Sequence, residues 1–422
     1  MAAYPRNLGF YALVGLVLLA LRQDGRLCEN TEIRLPKSCS VGSELAGRRR
    51  DMVASTTFRE RGFAEAKRLC YAGLDAPTLL HQVAGRLGRV APFEAYCAWS
   101  NDPLSGLMTR LVHDGVLGEE EGRTYLEHVY FEEDFEVQRS MVQSQRPVAL
   151  LSEVTGGKLE HALRCREITS RIGLGYELLS VCSAGKEQWG GITLIREKGG
   201  PDFEAREVAL LHRIVPHLSS GLKAAVLAKE ASAESAEGSG PGVLVLDDRG
   251  RVVQHTESAE RWLRDLCDLG DGWMEGDGLP APVWMVVGAL RKALKPETDR
   301  EANAVPSVRV QMRSGRWLTF HGARTEPRPG RTGETMVVIE PSRPQELAWL
   351  RVSAYGLSER EREVVDLVVQ GASTKEISGA LYISEYTVQE HLSNAFDKVG
   401  VRGRRALVKR LFFDNLYPEL LG

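Results

Sequence analysis

Apolar residues begin to recur at helical spacing soon after residue 52. In "APTLLHQVAGRLGRVAPF", Leu79, Val83, Leu87 and Val90 fall at i, i+4, i+8 and i+11, which predicts one buried face of a helix. "EAYCAWS" then reads as a short aromatic strand. "YELLSVCS" and "WGGITLIRE" straddle Ala184-Gly185-Lys186, the pattern of a β-hairpin. Gly199-Gly200-Pro201-Asp202 breaks the second strand, and Asp202 is placed to cap a long helix. That helix carries an apolar stripe of Leu210, Leu211, Ile214, Leu218, Leu222 and Val226, with a kink expected at Pro216. The acidic runs Glu119–Glu121 and Glu132–Asp134 read as solvated helix faces.

A second pattern follows a small, polar, Gly-rich linker at 232–241. "GVLVLDDRGRVVQHT" is strand, turn and strand, and "ESAERWLRDL" is a short amphipathic helix. "VRVQMRSGRWLTFHGAR" alternates Val308, Val310 and Met312 against Arg309, Gln311 and Arg313, turns at Ser314-Gly315 and returns; "TMVVIEP" closes the sheet. The last strand, loop and final helix of the first pattern, Trp189–Ala231, resemble a GAF domain, here 52–231. The second pattern is similar to a PAS domain, here 242–341. A connecting helix is expected over 342–355.

The C-terminal stretch returns to helical spacing and adds sharp punctuation. Ser358 followed by Glu361 is a capping box, in which hydroxyl and carboxylate satisfy backbone N–H groups at a helix start. Val364, Val365 and Val368 make the stripe of this helix, and Gly371 ends it. Ser373 with Glu376 is a second capping box, opening a helix expected to bury Ile377, Ala380 and Leu381. Ser384 caps a third helix whose Val388, Leu392, Ala395, Phe396 and Val399 form one face. Tyr386, Gln389, Glu390 and Ser393 are thereby pushed outward together. Two capped helices joined by a tight turn, the second half apolar and half polar, are what helix-turn-helix docking into a DNA groove requires.

These residues closely resemble the LuxR-type (LuxR/FixJ) DNA-binding domain. The match includes Leu357-Ser358, Arg360-Glu361, Gly371, Lys375-Glu376-Ile377, Leu381, Ile383-Ser384, Thr387-Val388, His391, Asn394, Lys398, Gly400-Val401 and Arg404. The resemblance implies an all-α four-helix module at 356–415, with the third helix in the major groove. It also implies dimerisation through the fourth helix, at Leu407 and Leu411, and RNA polymerase as a partner. Thr374, Lys375, Ser384, Tyr386, Thr387, Gln389, Glu390, Ser393, Asn394, Lys398, Arg402 and Arg404 are the expected DNA contacts. The sequence departs from the family where Gln389 and Ser393 replace groove-facing lysines of several relatives, and where Val365 replaces leucine. Gln389 suits adenine, and Glu390 either accepts from cytosine N4 or is a solvated residue.

Composition narrows the rest. A net charge of −3 supplies no global basic field, so DNA contact has to come from a local patch. Seven scattered cysteines without a CxxC pair favour reduced, buried thiols in a cytoplasmic protein. No Walker loop, HExxH or nucleophile–base set is present, so an enzyme is not expected and no cofactor is evident, although an unknown small-molecule ligand in either sensory-like domain is. His321 reads either as a structural histidine or as a ligand contact. "LGFYALVGLVLLAL" (8–21) is shorter than the ~20 residues that span a bilayer. It reads as a membrane tether or, with the rest of 1–51, as an extension ahead of a true start at Met52. The expected whole is a multidomain α+β protein: a dimeric DNA-binding regulator under sensory control, or a sensory scaffold whose helix-turn-helix no longer binds DNA.

Overall fold

The computed structural model describes residues 58–113, 119–228, 240–248, 250–266, 279–294, 305–326 and 333–413. Residues 1–57, with the apolar stretch 8–21 and Met52, lie outside the described residues. Among the described residues, no helix is long and apolar enough to cross a membrane.

After a helix α1 (58–69), α2 (Ala76–Leu87) is capped by Asp75, whose carboxylate accepts from Thr78 N at 3.0 Å. Leu79, Val83 and Leu87 are buried as the spacing predicts, but the helix stops at Leu87, and Val90 is buried from the loop beyond. The strands β1 (Ala95–Asn101), β2 (Met108–His113), β3 (Val148–Leu150), β4 (Leu174–Ala184) and β5 (Glu187–Glu197) form an antiparallel sheet in the order β2-β1-β5-β4-β3. A helical run α3 (119–143) lies between β2 and β3, its middle, Tyr125–Asp134, wound in wider π-type turns. The long helix α4 (Ala205–Ala228) continues through Pro216. Its cap is not Asp202, which accepts instead from Phe203 N and Ser152 Oγ; the Glu207 carboxylate reaches back to Glu204 N at 2.8 Å.

The alternation of β4 sends its side chains to two different cores. Leu178 and Cys182 join α2 and α4 on one face, while Leu179 and Val181 face the other way. At Gly190 the strand β5 has φ of 149°, and a Cβ there would lie 2.1 Å from Trp99 O, so glycine is what lets β1 pair at this point. Cys70, Cys165 and Cys182 are buried thiols, and burial pushes Cys70 and Cys182 up to about 12.

A second antiparallel sheet repeats the strand order. Its members are β6 (Gly242–Leu246), β7 (Val252–His255), β8 (Ser307–Gln311), β9 (Trp317–Arg324) and β10 (Thr335–Pro341), arranged β7-β6-β10-β9-β8. Helix α5 (Glu257–Arg264) is capped by Thr256, and Val308, Val310 and Met312 point inward as their alternation predicts. His321 pairs with Glu340 at 3.4 Å.

Helix α6 (Ala281–Ala293) explains how the two sheets meet. Val283, Trp284, Met285, Val286, Val287 and Leu290 bury it on nearly every side, which only an element clamped between two apolar surfaces achieves. One continuous core runs from Trp99, Met108 and Tyr130 of the first sheet region to Leu244, Val308 and Phe320 of the second. Asp102 is buried and pairs with Arg309 at 2.8 Å across this junction. One face of the first sheet therefore shares its core with the second sheet, while the other face is cored separately by α2 and α4.

The chain then forms α7 (Pro344–Ala354), α8 (Glu359–Val369), α9 (Thr374–Leu381), α10 (Glu385–Val399) and α11 (Arg404–Val408), the last continuing as wider turns over Lys409–Phe413. Ala354 of α7 belongs to the core under the first sheet and Val352 to the C-terminal core, so the last turn of the connector is shared between the two cores. The whole is of mixed α+β class.

Gly288 tests the shared core. A Cβ there would lie 2.3 Å from the Phe131 ring, so Gly288→Leu forces α6 away from α3. Overpacking of this kind costs about 1–3 kcal/mol. Urea unfolding followed by tryptophan fluorescence is expected to lose its single transition and show the two sheet regions melting apart.

Candidate nucleic-acid interface

The first three helices of the C-terminal module, α8, α9 and α10, each start on a serine, for a physical reason: the first N–H groups of a helix have no partner inside it. Ser358 Oγ accepts from Glu361 N at 3.2 Å while Glu361 Oε2 accepts from Ser358 N at 2.7 Å. Ser373 and Glu376 repeat this at 3.3 and 2.6 Å, and Ser384 Oγ accepts from Thr387 N at 3.0 Å. The backbone N–H of Ser373 holds the Glu376 carboxyl below its ordinary range. At the other end of α8, Gly371 takes φ of 87° and its neighbour Ala372 donates to Leu367 O at 3.0 Å, closing the helix as expected.

Burial then decides which side of α10 is outside. Val388, Leu392, Ala395 and Val399 are buried against Val364, Val365 and Val368 of α8 and Ile377 of α9. Phe396 is half-buried beside them. Tyr386 is 80% exposed, and Gln389, Glu390, Ser393 and Asn394 are exposed on the same helix. Ala380 departs from expectation: it is exposed on α9, and Leu381 is only half-buried. A helix of eight residues has room for one fully buried anchor, Ile377.

The expected DNA-contacting residues divide into three groups. Tyr386, Gln389, Glu390, Ser393 and Asn394 share the outward side of α10, and Gln389 Nε2 donates to Thr374 Oγ1 at 3.1 Å, tying the start of α9 to it. Lys375, Ser384 and Arg402 are exposed around that side, and Thr387 is half-buried with its hydroxyl 2.8 Å from Ser384 Oγ. Lys398 and Arg404 are engaged within the module. Lys398 Nζ lies 2.6 Å from Glu361 Oε2, and Arg404 donates to Ala372 O in the loop before α9.

A family model described as bacterial regulatory proteins, luxR family, matches residues 356–411. The spore germination protein GerE of Bacillus subtilis (strain 168) is 54% identical over 55 residues, which are 13% of this chain and 74% of that protein. The chain belongs to this family. As a LuxR-family member it is a DNA-binding transcriptional regulator. The transcriptional regulatory protein UhpA of Escherichia coli (strain K12) is 39% identical over 56 residues, 13% of this chain and 29% of that protein. Among solved structures, the phage VqmA–DPO complex aligns at 15% identity over 42% of this chain and 83% of that chain, with a TM-score of 0.24, too low to carry an argument.

Two features of this LuxR-family module differ from the reading of its sequence. Leu407 and Leu411, expected at a dimer interface, are fully buried in the module's own core. The fourth helix is short, and both leucines are spent on seating it against the rest of the bundle. Tyr382 was missed altogether. It ends α9 in the left-handed conformation, φ 55°, and is 95% exposed at the turn between the two docking helices. Such a backbone costs a non-glycine residue roughly 1–2 kcal/mol, and no glycine or asparagine in "ALYIS" announces the turn.

The module is also clasped to the first sheet, away from α10. Glu187, at the start of β5, receives a two-pronged contact from Arg362 of α8, with Nη2 to Oε2 at 2.6 Å, and Ser353 Oγ lies 3.4 Å from it. Lys186 pairs with Glu359 at 2.9 Å, but both are exposed, and such pairs contribute little.

Glu361 carries a pH prediction. Burial pushes its carboxyl up, but the hydrogen bonds from Lys398 and Ser358 outweigh it and hold the group below its ordinary 4.5. A depressed carboxylate stabilises the fold above its ordinary value, and that stability disappears as pH falls through the folded value. Lys398→Met is expected to flatten the acid dependence of unfolding below about pH 4.5. It should cost under about 1 kcal/mol at neutral pH, the lysine being partly exposed. Circular dichroism of a fragment starting at 342, which contains the whole C-terminal core, measures both.

Proposed function

We propose that this chain binds a specific DNA sequence through the outward side of α10 and that its two sheet domains bring that binding under the control of a signal. The observation that carries the reading is the exposure of Tyr386, Gln389, Glu390 and Ser393 in the full chain, while the opposite side of the same helix is fully buried. Among the described residues, none covers this surface.

Sequence reading falls to Gln389 and Glu390, since base edges confer specificity while phosphate contacts position the protein. Gln389 pairs with adenine N6 and N7, and Glu390 accepts from cytosine N4. Lys375 and Arg402 supply phosphate contacts, helped by the N–H groups at the starts of α9 and α10. Lys398 and Arg404 are held by Glu361 and Ala372, so they brace the reading helix more than they grip phosphate. Pairing on DNA, which the family resemblance implies, needs a surface other than Leu407 and Leu411, or release of the fourth helix from its seat.

The sensory part of the proposal rests on the two sheets. Both run 2-1-5-4-3 in their own strand numbering, with helices packed on them, in keeping with the GAF-like and PAS-like patterns of the sequence. A signal acts only by binding two states of the protein unequally. The connector α7 and the Glu187–Arg362 contact are the elements through which such a bias would reach α8.

Selection of DNA from a random pool by the full chain, followed by fluorescence anisotropy at two salt concentrations, tests the reading. The expected result is an enriched site whose affinity falls steeply with salt. Gln389→Ala should keep the fold and lose about 1–3 kcal/mol of discrimination at one base position. No enriched site, or binding indifferent to salt, returns the chain to the alternative of a scaffold with a non-binding helix-turn-helix.

A further inference from the structure

Of the acidic run Glu132–Asp134, expected as a solvated face, Glu132 is exposed and Glu133 half-buried, but Asp134 is neither. Asp134 is buried under the first sheet, where Arg164 Nη1 donates to its Oδ1 at 2.6 Å. The other side of the same guanidinium faces Glu177, with Nε 2.5 Å from Oε2. Glu177 projects from β4 and is only 1% exposed. One buried cation is thus shared between two buried carboxylates, and Glu121 adds a third negative group to the same wall.

These residues border a cavity of about 70 Å³ between the sheet and α3. Apart from Arg164 Nε and Glu177 Oε2, which face each other, three buried polar atoms of its lining residues have no hydrogen-bond partner: Glu177 Oε1 and Thr169 Oγ1, both able to accept, and the indole donor Trp99 Nε1, which a cation does not satisfy. Buried polar groups are normally paired, and leaving one unpaired costs about 1–3 kcal/mol, more for a charged group. Two unmet acceptors on one small cavity mark a place built to receive a donor. Burial, only partly offset by Arg164, pushes the Glu177 carboxyl above its ordinary range, as befits a carboxylate short of positive charge.

We propose that this cavity binds a small organic cation, a primary ammonium or an amidinium, with Glu177 Oε1 as its principal acceptor. An anion is disfavoured because Arg164 is already engaged on two sides and, beside it, the lining carries the carboxylate of Glu121 and one other basic side chain, His113, which has a partner of its own. A metal ion is disfavoured because, among the described residues, no group of three or more His, Cys, Asp or Glu side chains is arranged to hold one. Tyr125 and Trp99 supply aromatic walls, surfaces that favour a desolvated cation. The volume admits on the order of five non-hydrogen atoms, taking about 10–15 Å³ for each. The Thr169 hydroxyl accepts a second N–H. This names the ligand class for the sensory reading above and rests on that reading only for its consequence at the DNA.

The test is thermal unfolding and calorimetric titration of the full chain with methylammonium, ethylammonium and guanidinium at millimolar concentration. Acetate, ethanol and magnesium serve as anionic, neutral and metal controls. The expected result is saturable stabilisation by at least one organic cation and by none of the controls. Glu177→Gln, which keeps the shape and removes the charge, should weaken that binding at least tenfold. Thr169→Val, which removes only the unpartnered hydroxyl, should weaken it severalfold and covers the case in which Glu177→Gln unfolds. No response to any cation, equal binding by a folded Glu177→Gln protein, or preference for acetate or magnesium overturns the proposal. DNA binding by the same preparation without added cation is read separately, so loss of the cation proposal leaves the DNA reading standing, and the reverse.

Discussion

The structure turns on the burial of one side of α10. Fully burying a valine or leucine side chain contributes about 1.5–3 kcal/mol, so rolling this helix to hide Tyr386 would expose Val388, Leu392 and Val399 at a cost on the order of 5–9 kcal/mol. No contact that Tyr386 or Gln389 could gain inside the bundle matches that. The apolar stripe therefore holds the polar side outward whatever the rest of the chain does. Ser384 and Gly400 set where the helix begins and ends, with Gly400 in the left-handed conformation at its close. Lys398 and Glu361 then pin it to α8, whose own start depends on the same carboxylate.

Around that fixed element the protein is unusually continuous. Helix α6 gives two sheets one core, Asp102 and Arg309 seal their junction, and α7 has one side in the core under the first sheet and another in the C-terminal core. A disturbance in the first sheet has packed side chains to travel through, ending at Glu187 and the two-pronged contact with Arg362. The acidic cavity bordered by α3 shares its Trp99 wall with the core that spans both sheets.

The C-terminal module was legible in the sequence almost residue by residue because its determinants are local. A serine three residues ahead of a glutamate, a glycine after a valine stripe and a 3.6-residue period need no knowledge of the rest of the fold. The sheets were legible as strands and hairpins, since the alternation Val308, Val310, Met312 carries its own address. What could not be read were outcomes decided at a distance. Asp134 looks solvated until Arg164, thirty residues later, is folded over it. Leu407 and Leu411 have the spacing of an interface, and only the bundle shows that their partners are within the same chain. Glu177 did leave a signal: it is a lone acid inside the apolar run "YELLSVCS", on a strand buried on both faces. Tyr382 left none, since its left-handed turn is imposed by the packing of the two helices it joins.

Hydroxyl-radical footprinting of the full chain, with and without a DNA site selected from a random pool, probes the outward side of α10 directly. Tyr386 and Tyr382 are 80% and 95% exposed, and Tyr71, near α2, is 59% exposed and serves as the internal control. The account predicts that DNA suppresses oxidation of Tyr386 strongly and of Tyr382 in part, with Tyr71 unchanged. Full oxidation of Tyr386 in a complex shown to contain bound DNA would contradict it, because the duplex would then be held by some other surface.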